Sequence, residues 1–382
     1  MFHPTYSGPS LCVLHVIDDL FSNGGTPIKL LNLVRYSDKT RFRHVMLVFA
    51  NHTKNLNQAF RDEGAIVEEI NRKYKLDLRL LYDIQKKCHQ HRANILSTHF
   101  ARADLYGAIA GVLSRIPVIK YAHGIRWNKS RLLKKMDGLL SRFRASTVCN
   151  SKATREAVIR QTGAMNAIVI HNGVPNRAVT LTAEQRATLR STLAIPQDAY
   201  VIGHVGGMIP LRDQNVILSA VEQVVREGIN VYLVLVGDGP LRNELEGKCS
   251  RLGIMRRVRF LGYRDDVPEL LAVFDVYVNM ALEEGFGIAV VEAMQAGVPV
   301  VLANAGALPE LVEDGVSGIL VPPGDSGSLA NVLKRLAKDS EYAGRLGEKA
   351  KNRALSQFAI SRYVSDMENL YLEIASSRND RG

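Results

Sequence analysis

The chain has 382 residues, too many for one ordinary hydrophobic core and enough for two domains of about 150–200 residues each. Its 46% hydrophobic and 23% charged content excludes a disordered polypeptide, and no run approaches the ~18 apolar residues needed to span a bilayer. The net charge of +11 is uneven: residues 1–180 hold 28 Lys and Arg against 12 Asp and Glu, the remainder 21 against 26, which points to an anionic partner for the first half, whether a membrane surface, a lipid phosphate or nucleic acid. The first twenty residues lack the basic start and small-residue cleavage site of a secretory signal. Cys12, Cys88, Cys149 and Cys249 form no CxxC pair and read as buried thiols of a reducing, cytoplasmic compartment.

In chain order, short apolar runs at 10–17, 44–49, 93–98, 117–123, 146–151 and 167–172 predict buried strands. Helix-period stretches fall between them near 26–36, 55–63, 78–91, 102–114, 131–145 and 152–161. Strands that are apolar on both faces and alternate with helices predict a parallel sheet covered on both sides. The pattern pauses at a linker, 179–198, that carries a short helix. It then restarts with strands at 200–206, 231–237, 257–262, 276–280, 298–303 and 318–323, again separated by helices. The expectation is an α/β protein of two doubly wound, Rossmann-like domains (1–178 and 199–358) facing each other across a cleft. A helix within 359–382 bears the stripe Tyr363, Met367, Leu370, Tyr371 and Ile374 and is expected to pack back towards the N-terminal domain, ahead of an irregular tail, SSRNDRG.

Three segments of the second half suit a phosphate ligand. Gly206 and Gly207 end a strand, where backbone N–H groups can approach an anion, and Arg212 follows with a full charge. Gly237 and Gly239 flank Asp238 at the next strand end, a pattern shared with ordinary tight turns. The third segment, EGFGIAVVE (284–292), places Glu284 on a loop, then Gly285, Phe286 and Gly287, then a helix beginning near Ile288. The N–H groups and positive dipole end of that helix suit a diphosphate. Glu284 can accept hydrogen bonds from sugar hydroxyls, and Glu292, an acid amid Ala289, Val290, Val291 and Met294, needs a partner such as the vicinal hydroxyls of a ribose. In the first half Gly24 and Gly25 again precede a helix, and His123 and His99 end strands. Asp18 and Asp19 read as caps of the turn that follows the first strand. The stretch 126–144, RWNKSRLLKKMDGLLSRFR, is a basic amphipathic helix, suited either to a membrane surface or to packing on its own sheet.

The string 260–325, together with HVGGMIPLRDQ (204–214) and VGDGPLRNEL (236–245), resembles the donor domain of family 4 retaining glycosyltransferases with the GT-B fold; Glu284 and Glu292 match their Glu-x7-Glu signature. Weaker landmarks, including NGGTPIKLLNLV and KYAHG, extend the resemblance over nearly the whole chain. It implies sugar transfer from a nucleotide-sugar, a UDP-sugar in preference to GDP-mannose, with no metal or other cofactor required. It implies that Glu284 touches the donor sugar, Glu292 the ribose and Arg212 the diphosphate, that Gly24 and Gly25 lie near the phosphate or acceptor, and that His123 lies close to the sugar. Two positions depart from the family pattern. Gly207 stands where a basic residue is usual, so Arg264 or another cation is expected to substitute; Asn279-Met280-Ala281 stands in place of Leu-Pro-Ser. The expected acceptor is a lipid-pyrophosphate-linked saccharide of bacterial polysaccharide or glycolipid synthesis, met at the inner face of the cell membrane by the basic half. A nucleotide-sugar 2-epimerase of the same fold and a basic nucleic-acid-binding protein are the alternatives, the latter lacking any zinc-finger or RNA-binding signature.

Overall fold

Apolar strands buried on both faces form two separate parallel sheets in the computed structural model, which describes residues 10–21, 25–49, 55–70, 77–125 and 131–379. The first contains β1 (Leu11–Ile17), β2 (Phe42–Val48), β3 (Ile66–Glu69), β4 (Ile95–His99), β5 (Val118–Ala122), β6 (Ser146–Cys149) and β7 (Ala167–Val169), in the order β3-β2-β1-β4-β5-β6-β7. The second contains β8 (Tyr200–Val205), β9 (Val231–Val236), β10 (Val258–Gly262), β11 (Val276–Asn279), β12 (Val300–Ala303) and β13 (Ile319–Val321), in the order β10-β9-β8-β11-β12-β13. Every strand pairing within the two sheets is parallel. The chain divides into two units: one runs to Gly173 and resumes at Ile360, and the other is Val174–Ala359.

The six strands predicted in the first half are joined by a seventh, β3. It is an edge strand with an exposed Ile66 and two glutamates, so it lacks the continuous apolar run that marks the others. The final helix, Ile360–Asn379, runs into the segment expected to be irregular, with Ser376 and Ser377 hydroxyls donating to the Glu373 carbonyl (2.9 and 2.8 Å); residues 380–382 lie outside the described residues. That helix belongs to the first unit. Its Tyr363, Met367, Leu370 and Tyr371 enter one core with Leu30, Leu33, Phe42 and Ile95. On the opposite face of the sheet, Cys12, Leu14 and Val16 pack with Ile84, Tyr106 and Ala110.

Within 179–198 lies the helix Ala183–Thr192, started by a capping box between Thr182 and Gln185. It is held to the second unit by Arg186 and Arg190, whose guanidinium groups grip Asp275 at 2.8 and 2.9 Å. The basic amphipathic stretch forms the helix Arg131–Ser141; residues 126–130, and the side chains of 131–133, lie outside the described residues. Its inward face is ionic. Asp137 is buried against Lys120 of β5 (2.7 Å) and Arg144 (2.8 Å), and Asp104 completes the cluster. Met136 and Leu139, and Phe143 just beyond the helix, are left exposed, the last two at 58% each.

Candidate active site

Parallel α/β sheets bind ligands outside the carboxyl ends of their strands, where the strand order reverses. In the second unit that point lies between β8 and β11, neighbours in the sheet but not in sequence. The segment after β8 begins with Gly206 and Gly207. The Gly206 N–H donates to the Val236 carbonyl (2.9 Å) and the Met208 N–H to the Asp238 carbonyl (3.0 Å), so this turn lies against the one after β9. Gly237 has φ +120°, and a Cβ there would stand 2.3 Å from the Gly206 carbonyl oxygen; a Cβ at Gly239 would stand 2.5 Å from that of Met208. Packing of the two turns therefore demands glycine at both positions. Gly207 is different. A Cβ there would meet only the Asp238 carbonyl oxygen at 3.7 Å, so the missing basic residue reflects sequence, not space.

Buried Gln214 fixes this loop from below. Its amide donates to the Gly207 carbonyl (2.9 Å) and lies 3.3 Å from His204 Nε2; His204 Nδ1 lies 2.9 Å from the Val278 carbonyl of β11. Burial lowers His204 to about 4, so the ring is neutral, donates to Val278 through Nδ1 and accepts from Gln214. Arg212 ends the short turn Pro210–Arg212, and the Leu282 N–H ties the loop after β11 to the Leu211 carbonyl (2.9 Å). These ties bring the Arg212 guanidinium onto the Glu284 carboxylate, joining two of the sequence-predicted residues across 72 positions of chain.

From Glu284 the chain enters a turn anchored at two points. The Glu284 carbonyl accepts from the Ala307 N–H (2.9 Å), and buried Phe286 packs edge-on against Phe358 at 5.6 Å. Phe286 therefore serves the core with its ring and leaves only its backbone to a ligand. Gly287, at φ +100°, starts the helix Ile288–Gln295, which has no side-chain cap at its N-terminus. Glu292 stands on this helix beside a recess lined by Arg177, Val267, Pro268, Leu271 and Gln295. Burial raises the Glu292 pKa, and Arg177 partly opposes that shift. Sequence reading missed Arg177, which stands outside the strand and helix periodicity; only an acid requiring a partner at 292 signalled it. Arg264 follows β10, the edge strand two removed from β8, and pairs with Asp266 (2.6 Å); it is not gathered with Arg212 and Glu284.

In the first unit, Gly24 lies outside the described residues and Gly25 begins the helix Gly25–Tyr36 with open space at its Cβ position. The Asp18 carboxylate accepts from the Ala103 N–H (3.1 Å) at the start of the helix Ala101–Ser114. His123, one residue beyond β5, has Nδ1 3.3 Å from Lys29 Nζ and Nε2 3.4 Å from His99 Nδ1. Lys29 is buried with no carboxylate at ion-pair distance among the described residues, and desolvation lowers it to about 7. Its signal in the sequence was a lysine inside the apolar stripe of PIKLLNLV.

Known proteins match this chain over both of its units. Residues 185–353 match the family Glycosyl transferases group 1, and residues 24–177 match Glycosyltransferase Family 4. The chain is 30% identical over 308 residues to a D-inositol 3-phosphate glycosyltransferase of Corynebacterium kroppenstedtii, covering 74% of this chain and 68% of that one. It is 23% identical over 314 residues to the UDP-Gal:alpha-D-GlcNAc-diphosphoundecaprenol alpha-1,3-galactosyltransferase of Escherichia coli, covering 79% and 81%. The crystal structure of Anabaena Alr3699/HepE in complex with UDP and glucose matches with a TM-score of 0.83 at 27% identity, over 95% of this chain and 100% of that one.

Proposed function

The chain belongs to glycosyltransferase family 4, a hexosyltransferase of the GT-B fold, and from that membership we propose that it moves a hexose with retention from a UDP-sugar to a lipid-linked saccharide. The observation that carries this reading is the meeting of Arg212 with Glu284 at the strand-order reversal, one turn before an uncapped helix N-terminus. Breaking a glycosyl–phosphate bond develops negative charge on the departing diphosphate and positive charge on the sugar. The helix N–H groups and Arg212 stabilise the first, and the Glu284 carboxylate holds the sugar hydroxyls. Glu292 takes the ribose from the recess it shares with Arg177. The acceptor hydroxyl adds on the face from which the diphosphate leaves, no enzyme carboxylate attacks the sugar, and no metal is required. The likeness to a protein crystallised with UDP and glucose supports the uridine donor, and the likeness to an enzyme acting on a diphosphoundecaprenol-linked sugar supports the lipid acceptor.

A membrane site of action fits the helix Arg131–Ser141, whose exposed Met136 and Leu139, with Phe143 beyond its end, stand among Lys134, Lys135 and Arg142. No helix among the described residues is long and apolar enough to cross a membrane, and peripheral attachment at the cytoplasmic face is the arrangement we infer. Turnover of UDP-hexoses with a lipid-pyrophosphate-linked saccharide, followed by the anomeric proton coupling of the product, tests the reaction. An inverted product, or full dependence on a divalent metal removable by EDTA, would overturn the mechanism. Flotation with anionic vesicles, lost in Leu139→Glu/Phe143→Glu, tests the membrane contact; equal flotation with neutral vesicles would refute its electrostatic part.

A further inference from the structure

Four histidines of the first unit lie on one face of its sheet, each on a different strand or at its end. The pairing register makes them a diagonal ladder. His44 of β2 is opposite Val13, and His15 stands two residues further along β1; His15 is opposite Ser97, and His99 stands two further along β4; His99 is opposite Tyr121, and His123 stands two further on. Each step of two residues keeps the side chain on the same face. The rings stack at centroid separations of 5.3, 5.5 and 5.6 Å, and their nitrogens meet in one sense throughout. His123 Nε2 lies 3.4 Å from His99 Nδ1, His99 Nε2 3.2 Å from His15 Nδ1, and His15 Nε2 3.0 Å from His44 Nδ1.

Both ends of the ladder are polar. At one end Lys29 Nζ lies 3.3 Å from His123 Nδ1. At the other, His44 Nε2 lies 3.1 Å from the Ser37 hydroxyl, which donates to the Glu368 carboxylate at 2.9 Å; the Asp38 N–H donates to the same oxygen at 2.8 Å. A neutral imidazole has one donor nitrogen and one acceptor, so neighbouring rings cannot choose their tautomers independently. An ammonium can only donate and a carboxylate can only accept, so the two ends select one sense. Lys29 donates to His123, every ring carries its proton on Nε2, and the last proton points through Ser37 to Glu368. Burial and mutual repulsion lower His15, and burial with the charge of Lys29 lowers His123; in both cases the rings remain neutral. His44 falls to about 3 through burial, with Lys39 adding to the shift. The other groups facing the ladder are the phenols of Tyr121, Tyr363 and Tyr371, all raised by burial, and the Ser97 hydroxyl, 3.1 Å from His99 Nε2.

We propose that His44, His15, His99 and His123 act as one tautomer-locked hydrogen-bond relay between Glu368 and Lys29, and that His15, His99 and Glu368 are positioning residues through which the relay sets the charge of Lys29 and the orientation of His123 for the transfer reaction. The second clause rests on the transfer reaction proposed above; the relay itself does not. Nitrogen-15 correlation spectra of histidine-labelled protein at pH 6, where Lys29 is an ammonium and the rings are still neutral, are expected to show four rings protonated on Nε2. In Lys29→Met the Glu368 end alone still orients the chain and the spectrum is expected to hold, whereas in Lys29→Met/Ser37→Ala both ends are lost and the rings are expected to become tautomer mixtures. Any of the four rings as an imidazolium or protonated on Nδ1 in the parent, or an unchanged spectrum in the double variant, would overturn the relay.

Glu368 touches no substrate in this reading. Three ring-to-ring steps plus the contacts at each end separate it from Lys29 by about 20 Å, where a unit charge still shifts a buried group by about half a pH unit. Glu368→Gln is therefore expected to move the limb of the kcat–pH profile set by Lys29 downward by about half a unit, leaving KM for the donor unchanged. A structural role alone would lower the melting temperature without moving that limb, and would refute the positioning role. If no transfer activity exists, no variant has a profile to compare, and the spectra still decide the relay.

Discussion

Arg212 and Glu284 pair with each other, and in the proposed reaction each holds a different part of the donor. Donor binding must therefore exchange one charge-assisted contact for two, and the two residues act as a unit. Glu284→Ala and Arg212→Ala are each expected to lower kcat by about 10²–10³-fold, and the double variant to lose much less than the product of the two; steady-state kinetics of the four proteins measure the coupling. Glu292 presents a conflict between stability and function. Its pKa is raised by burial, so above the ordinary carboxylate value the native protein retains a proton that the unfolded chain has released. Stability then falls as pH rises through that window, and the cost persists above it. Glu292→Gln is expected to raise the urea midpoint relative to the parent at pH 8, with the advantage shrinking towards pH 4, while UDP binds more weakly. A variant less stable than the parent at pH 8 would contradict this account. At Gly207 the open space invites the opposite experiment: Gly207→Arg adds a cation beside the proposed diphosphate and should tighten UDP binding about 5–10-fold by calorimetry, an effect screened by salt.

Among the elements, the turn 284–287 is constrained in both backbone conformation and packing. Gly287 combines φ +100° with a Cβ position 3.1 Å from a methyl of Leu311, so Gly287→Ala meets both backbone strain and a close contact. A loss of about 1–3 kcal/mol by denaturant unfolding is expected, together with weaker donor binding as the helix N-terminus shifts. Much of this element was legible in advance, because Gly-Phe-Gly before an apolar helix is a short-range pattern. The glycines at 237 and 239 were equally visible, but their reason was not. Gly237 is expected beside the donor, and the packing of the neighbouring turn requires glycine both there and at Gly239. The amphipathic helix at 131–141 could be read two ways from its spacing alone. Its orientation followed from Asp137, a single acid in the basic stretch, which turns inward to Lys120 and Arg144 and leaves Leu139 in solvent.

Across the whole molecule the chain returns to its first unit to finish it. Tyr363, Met367 and Tyr371 are each at most 2% exposed within that core, and burial of three such side chains contributes about 5–8 kcal/mol, a large part of a domain's stability. Deleting residues 360–382 is expected to abolish protection of β1 and β4 amides in hydrogen exchange while β8 and β11 remain protected; protection retained in β1 would show that the helix is dispensable. The amino-acid sequence determined by itself whatever repeats or is local: two runs of alternating strands and helices, the glycine turns at strand ends and the Glu284–Glu292 spacing. The tertiary structure alone decided which distant residues meet. The contact of Arg212 with Glu284, the alignment of His44, His15, His99 and His123, and the edge position of Ile66–Glu69 all depend on strand order and register. Periodicity states which face a side chain occupies and is silent about which strand lies beside it, because that choice is made by long-range packing of the sheet.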